Sequence, residues 1–458
     1  MFGVLLVATL AWGALAFGAV YAWAYWPLAI SSASLGLWAS VTTRAWRDPR
    51  ARTLLIALGA TALAIGVQLI ALPYSVLAWL SPGVDTFLRQ FAVGYHPAAL
   101  HPLSIAPGST AGALALFVAF ALLLVGAMRA MRFVRLEWLV SQLMGLGIAL
   151  ALVGVIQQAF LDEKAPLVYG FWEPQFGAAP YGPFINKNHF AGWMVMVLPV
   201  LAGYAYALFQ RTPRPSQPGL SGWVRWATTV EASRFVLVST VGLAMSLSVV
   251  LTGSRSGLAS LLVALTFLAY AVWRSTHPGH GRRAALGFLG ALVLGALAWG
   301  GADTLLERFA RAPAELEGRF AAWRDTREII GDFPWFGTGL GTYGRAMLVY
   351  QTGDRSSMYV QAHNDYLQVI AEGGLLVSVP VAIVVGLVVA GIRRRLSSGQ
   401  DDRVTVWVRL GAVAGLLGIA AQSLVEFSLQ MPGNAVLFVV LMAIALHRPD
   451  RALHATRV

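Results

Sequence analysis

The chain is a succession of apolar runs long enough to cross a bilayer, separated by short polar joints. A run of about 20 residues, coiled as an α-helix, spans the ~30 Å hydrocarbon layer. Inside hydrocarbon each backbone N–H and C=O must be paired within its own segment, which leaves the helix as the conformation such runs adopt. Twelve runs fit, over about 2–19, 24–43, 53–73, 109–128, 138–160, 189–209, 235–253, 257–273, 284–301, 374–392, 404–424 and 433–447. The expected fold is an all-α integral membrane protein of about twelve transmembrane helices, one polytopic domain over 1–458, with a large polar loop between spans nine and ten. Charge content agrees: 12% of residues are charged, against about 25% in a soluble domain. No basic segment and small-residue cleavage site open the chain, so the run from Phe2 is read as a retained first helix.

The joints alternate in charge. One set holds 22 of the 33 basic residues and six of the 21 acidic ones, a net +16; the other set carries −4. Arginine enrichment in short joints marks the cytoplasmic side, which places both termini there in a multi-pass inner-membrane protein. The excess of +12 is thereby explained by orientation, and a nucleic-acid partner is not required.

On the opposite side lie the segments able to do chemistry: 74–108, 161–188, the turn Ser254-Arg255-Ser256, and 302–373, a periplasmic loop expected to carry short helices. Arg255 stands between two apolar spans, where a guanidinium either snorkels to the interface or faces an anion at the start of the next helix. Arg319, Trp323 and Arg327 share a helical face, suited to lipid headgroups or to a diphosphate. Asn188, of Asn186-Lys187-Asn188-His189, is a candidate helix cap, with Lys187 an added cation beside it. In Gln361-Ala362-His363-Asn364-Asp365-Tyr366-Leu367-Gln368, His363 is the candidate general base, since a neutral imidazole accepts a proton near neutral pH. Asp365 is its nearest acid in sequence, yet residues i and i+2 on a helix do not face each other. Pairing the two requires a non-helical start to the segment. Asp365, Gln368 and Glu372 form one polar stripe; Gln422, Glu426 and Gln430 form another at the external end of a span. Gly339-Leu340-Gly341-Thr342-Tyr343-Gly344 spells G-x-G-x-x-G, but lacks the strand–helix context of a dinucleotide site and reads as a glycine turn. No metal-binding pattern stands out.

The ordered set of these motifs resembles the O-antigen ligase and polymerase superfamily of bacterial membrane glycosyltransferases. The resemblance runs over roughly 180–435. It is carried by Asn186 to His189, Ser254 to Gly257, Arg319 with Trp323, Phe333-Pro334-Trp335-Phe336-Gly337-Thr338-Gly339, Ala362 to Gln368, and Gln422 to Asn434. It implies transfer of a glycan from an undecaprenyl-diphosphate donor at the periplasmic face. The acceptor would be lipid A core, in lipopolysaccharide biosynthesis, or another glycan, as in polysaccharide or exopolysaccharide assembly. By that analogy Arg255 and Arg319 hold the diphosphate and His363 serves catalysis. Lys187, Asn186, Asn188, Asp365, Tyr366, Gln368 and Glu426 contribute to substrate binding, without metal, cofactor or nucleotide sugar. The expected reaction is an inverting displacement. A flippase or transporter of polyprenyl-linked glycans is the rival class, but would need ionisable groups along a route across the membrane. A peptidoglycan-type polymerase is disfavoured, since such enzymes rely on an Asp in another motif context.

Overall fold

The computed structural model describes residues 1–448 apart from 97, 99, 161–166, 175–178, 213–218, 276–286, 288–289, 291–311, 354–357 and 400. The expected ninth span, 284–301, therefore lies outside the described residues, apart from Gly287 and Gly290. Helices in chain order are α1 (Phe2–Leu15), α2 (Ala22–Thr43), α3 (Pro49–Val67), α4 (Tyr74–Leu80), α5 (Pro82–Phe91), α6 (Pro107–Ala130), α7 (Leu136–Phe160) and α8 (Lys187–Arg211). They continue with α9 (Leu220–Ala227), α10 (Val230–Thr252), α11 (Arg255–Ser275), α12 (Ala312–Asp332), α13 (Tyr343–Tyr350), α14 (Asp365–Leu396), α15 (Arg403–Gln422) and α16 (Pro432–Leu446). Two residue pairs, Ala71–Leu72 and His101–Pro102, form a small antiparallel ladder.

Among the described residues eight helices are long and apolar enough to cross a membrane: α3, α6, α7, α8, α10, α11, α14 and α15. The protein is a multi-pass, all-helical membrane protein. Three of the twelve expected spans fall short of that standard. Helices α1 and α16 are apolar but have 14 and 15 residues. Helix α2 has the length, but Ser31, Ser32, Ser34, Ser40, Thr42 and Thr43 dilute its apolar character.

Helix α8 is the axis, with every residue from His189 to Leu208 buried. Helix α15 packs closely along it, through glycines. A Cβ on Gly411 would collide with the Pro199 carbonyl, one on Gly415 with that of Met196, and one on Gly203 with that of Trp407. Lipid tails are as apolar as leucine, so spanning helices associate by such close contact and not by expelling water. Gly36 and Gly126 do the same for α2 and α6. A second, smaller core joins α4 and α5 to α12 and α13 around Leu77, Val84, Phe333 and Met347. The segments 74–91 and 312–350 therefore pack as one cap.

Helix α14 is broken near its start. Gly374 has φ +55° and ψ −162°, a conformation close to glycine alone. The break is held by Leu375 N and Leu376 N, which donate to the carbonyls of Pro334 and Trp335, each at 2.9 Å. The G-x-G-x-x-G stretch is a glycine turn, with Gly339 and Gly341 at φ +106° and +79°. It wraps the buried Glu372, whose carboxylate accepts Gly341 N (2.9 Å) and Tyr343 N (2.8 Å). Gln68, just past α3, locks this arrangement by donating to the carbonyls of Phe336 (2.6 Å) and Glu372 (2.9 Å) and accepting Leu340 N at 3.1 Å. At Gly374 a Cβ would stand 2.6 Å from the Trp335 carbonyl carbon. Gly374→Ala is therefore expected to destabilise the protein by about 2 kcal/mol, seen as a lower thermal midpoint in detergent. An unchanged midpoint would show that the turn relaxes.

Candidate functional site

The site lies where one end of α8, α11, α14 and α15 meets the 423–431 loop. The opposite ends of the same helices carry Arg211, Arg274, Arg393 to Arg395 and Arg403. Polar motifs and arginine-rich joints thus occupy opposite ends of the bundle.

Each element is started by a side-chain cap. Asn186 caps α8, accepting Asn188 N at 2.8 Å. The cap is therefore two residues earlier than Asn188, and the Asn188 side chain is left for another partner. Ser254 caps α11, accepting Gly257 N at 3.1 Å, so Arg255 is the first residue of that helix. Asn364 caps α14 through the N–H groups of Tyr366 and Leu367, both at 3.0 Å. His363 precedes that cap with φ +49°, left-handed and non-glycine. Its segment does start outside the helix, and the imidazole is set against Glu426, Tyr359 and Phe427.

What His363 faces is Glu426. Nδ1 lies 3.6 Å from Glu426 Oε2. The other carboxylate oxygen, Oε1, accepts Arg319 Nη2 at 2.5 Å and Asn188 Nδ2 at 2.8 Å, with Ser256 Oγ at 3.5 Å. Glu426 is fully buried, whereas the side chains of Arg319 and His363 are 21% and 28% exposed. The carboxylate is thus an internal anchor, and its cationic and imidazole partners reach the surface. Burial alone would raise the Glu426 carboxyl. The polar contact with His363 and the charges of Arg319 and His363 outweigh it and hold the group below the ordinary carboxylate range.

The surroundings fix this geometry. Trp323 Nε1 donates to the Ala362 carbonyl at 3.0 Å, tying α12 to the His363 segment. Gln368, itself buried, accepts Ala362 N at 3.1 Å and donates to Gln361. Asp365 N donates to the Ser423 carbonyl at 2.9 Å, and Asn364 Nδ2 to that of Leu424 at 2.9 Å. The Asp365 carboxylate accepts Gln430 Nε2 at 3.3 Å. Tyr366, exposed, donates to the Ala420 carbonyl at 2.8 Å. Phe427 stands edge-on between two imidazoles, His363 at 4.8 Å and the buried His189 at 4.7 Å. Gln422 donates to the Asn188 carbonyl at 3.0 Å.

Asn188, Arg319, His363 and Glu426 are therefore in one cluster, with Arg255 next to its member Ser256 and Lys187 next to Asn188. Asp365, Tyr366 and Gln368 border the cluster and brace its loops. Gln68, Phe427 and His189 had no signal in spacing, since each acts on residues remote in sequence. Among the described residues no group of three or more acidic or histidine side chains is arranged to hold a metal.

No curated protein matches the chain. Residues 240–382 match the family model described as O-antigen ligase, a segment that contains Arg255, Arg319 and His363 and stops short of Glu426. Through that segment the chain is similar to the O-antigen ligase and polymerase superfamily, membrane proteins of glycosyltransferase type.

Proposed function

We propose that the protein is a glycosyltransferase that moves a glycan from undecaprenyl diphosphate to an acceptor hydroxyl at the periplasmic face of a bacterial inner membrane. The observation that carries this reading is the convergence of Arg319, His363, Asn188 and Ser256 on the buried Glu426. A base beside cations, at a membrane boundary, suits a reaction that expels a diphosphate. The arginine bias of the joints supports reading that boundary as the periplasmic one, with both termini cytoplasmic.

In the reaction the acceptor oxygen forms a bond to the anomeric carbon as the bond from that carbon to the diphosphate oxygen breaks. His363 takes the hydroxyl proton, and the electron pair of the broken bond leaves with undecaprenyl diphosphate. A single displacement inverts the anomeric configuration. Glu426, facing Nδ1, steadies the imidazolium that forms. Arg255, in the first turn of α11, and the remaining N–H groups of Arg319 stabilise charge on the departing diphosphate. Lys187 adds a cation at the start of α8, and Asn186 holds Asn188 in place. Asp365, Tyr366 and Gln368 border the acceptor side, where either another glycan or the lipid A core is received.

A transporter would need polar groups through the bundle. The buried pair Arg409 and Asp401 lies toward the other end of α15. Residues 410–421, between it and Gln422, are apolar throughout. That separation favours an enzyme acting at one face.

Arg255→Ala is expected to weaken donor binding by about tenfold or more, the worth of a charge-assisted contact. Titration of purified protein with undecaprenyl diphosphate measures it. Unchanged affinity would return Arg255 to a role in setting helix depth.

A further inference from the structure

The main chain at His363 is pinned on both sides, by Trp323 at the Ala362 carbonyl and by Asn364 at the Leu424 carbonyl. Its ring is a separate matter. The torsion that turns an imidazole about its Cβ–Cγ bond is broad and roughly two-fold. A half-turn about that bond would exchange both nitrogens with ring carbons and leave a C–H facing Glu426. The Glu426 contact does not prevent this by itself, since Nδ1 at 3.6 Å from Oε2 is beyond hydrogen-bond length. The orientation of the ring therefore has to be set by what packs beside it.

Two aromatic rings do so. The Phe427 ring, on the residue after Glu426, is centred 4.8 Å from the imidazole and stands at 86° to it. Tyr359 stands at 6.4 Å, also at 86°, and its hydroxyl donates to the Gly318 carbonyl of α12 at 3.3 Å. Phe427 is itself backed by His189, at 4.7 Å and 76°. His189 lies in the first turn of α8, the buried axis of the bundle. Its carbonyl accepts Asn434 Nδ2 at 3.0 Å, which ties it to α16. Neither of its ring nitrogens has a hydrogen-bond partner among the described residues. The imidazole of His189 thus meets Phe427 as a ring against a ring.

We infer that Phe427 is a positioning residue for the base: backed by His189, it holds the His363 imidazole with Nδ1 toward Glu426 and Nε2 turned to the acceptor. The assignment rests on the reading of His363 as the base. Phe427 carries no group able to exchange a proton or to bind charge, so its effect reaches the reaction through His363. It also lies outside residues 240–382, the segment that matches the O-antigen ligase model.

The test is kcat for glycan transfer in two backgrounds. Phe427→Leu keeps an apolar side chain and removes the ring. It is expected to lower kcat by about tenfold, the upper worth of an edge-on ring pair, with affinity for undecaprenyl diphosphate unchanged. Phe427→Tyr keeps the ring and should retain most of the wild-type turnover. In a His363→Ala background the same Phe427→Leu change should cost nothing further in residual turnover, because no imidazole is left to orient. Losses that multiply in the two backgrounds overturn the assignment; a loss caused by misfolding would appear in both and counts among them. Wild-type turnover by Phe427→Leu overturns it as well, as does a Phe427→Tyr protein no more active than the leucine variant. Full turnover by His363→Ala alone removes the base reading, and this assignment with it.

Discussion

His363→Ala is expected to lower glycan transfer by about 10²–10⁴-fold in kcat, the usual worth of a positioned general base. Protein yield and donor affinity should stay near wild type. The imidazole is 28% exposed and makes its contacts at the edge of the cluster, so its removal opens no large cavity. The left-handed turn at His363 costs of order 1–3 kcal/mol in a non-glycine residue. A residue held there only for packing would gain by becoming glycine. His363→Gly should therefore match or exceed the wild type in thermal stability while being as inactive as the alanine variant. Purified protein, a polyprenyl-linked glycan and an acceptor in detergent suffice for the assay. Full turnover by His363→Ala would remove the histidine from the chemistry.

Glu426→Ala is expected to be the most damaging single change to the site. It leaves Arg319 and Asn188 without their shared acceptor and withdraws the charge facing His363. Breaking a buried ion pair from one side commonly costs about 3–5 kcal/mol, and the partial exposure of Arg319 puts this case toward the lower figure. Glu426→Gln keeps the shape and the acceptor oxygen but not the charge, and should fold better while remaining poorly active. The pH dependence has a definite sign. The folded-state carboxyl lies below its ordinary value, so its contribution is fully present above about pH 4.3, the unfolded value. It is lost as pH falls through the folded one. The gap in thermal midpoint between wild type and Glu426→Gln should be widest at neutral pH and narrow in acid. A gap that widens in acid would mean the carboxyl is protonated in the native protein.

Much of the site was legible because its parts are local. Arg255 and His363 sit where polar motifs interrupt apolar runs, whereas the caps at Ser254 and Asn364 emerged only in the structure. The Asn186 cap was misplaced by two residues because either asparagine satisfies the same local rule, and only the Asn188 contact to Glu426 separates them. The partner of His363 was hidden for a different reason. Asp365 is two residues away and Glu426 sixty-three, and sequence distance carries no information about which carboxylate the turn faces. Gln68 shows the same limit: one side chain past α3 fixes the glycine turn at Leu340, 272 residues later, and the start of α14 at Glu372, 304 residues later.

The sequence by itself determined a helical membrane protein, the side of the bundle on which its polar motifs gather, and the residue types available for chemistry. These follow from hydropathy, charge bias and capping, each a property of about 20 neighbouring residues. Only the tertiary structure decided that Asn188, Ser256, Arg319 and His363 share one carboxylate, and that α10 and α11, consecutive in the chain, pack on α8 and α15 and little on each other. Those arrangements depend on how closely α8 and α15 approach through Gly411 and Gly415, a packing term between distant segments that no local window contains.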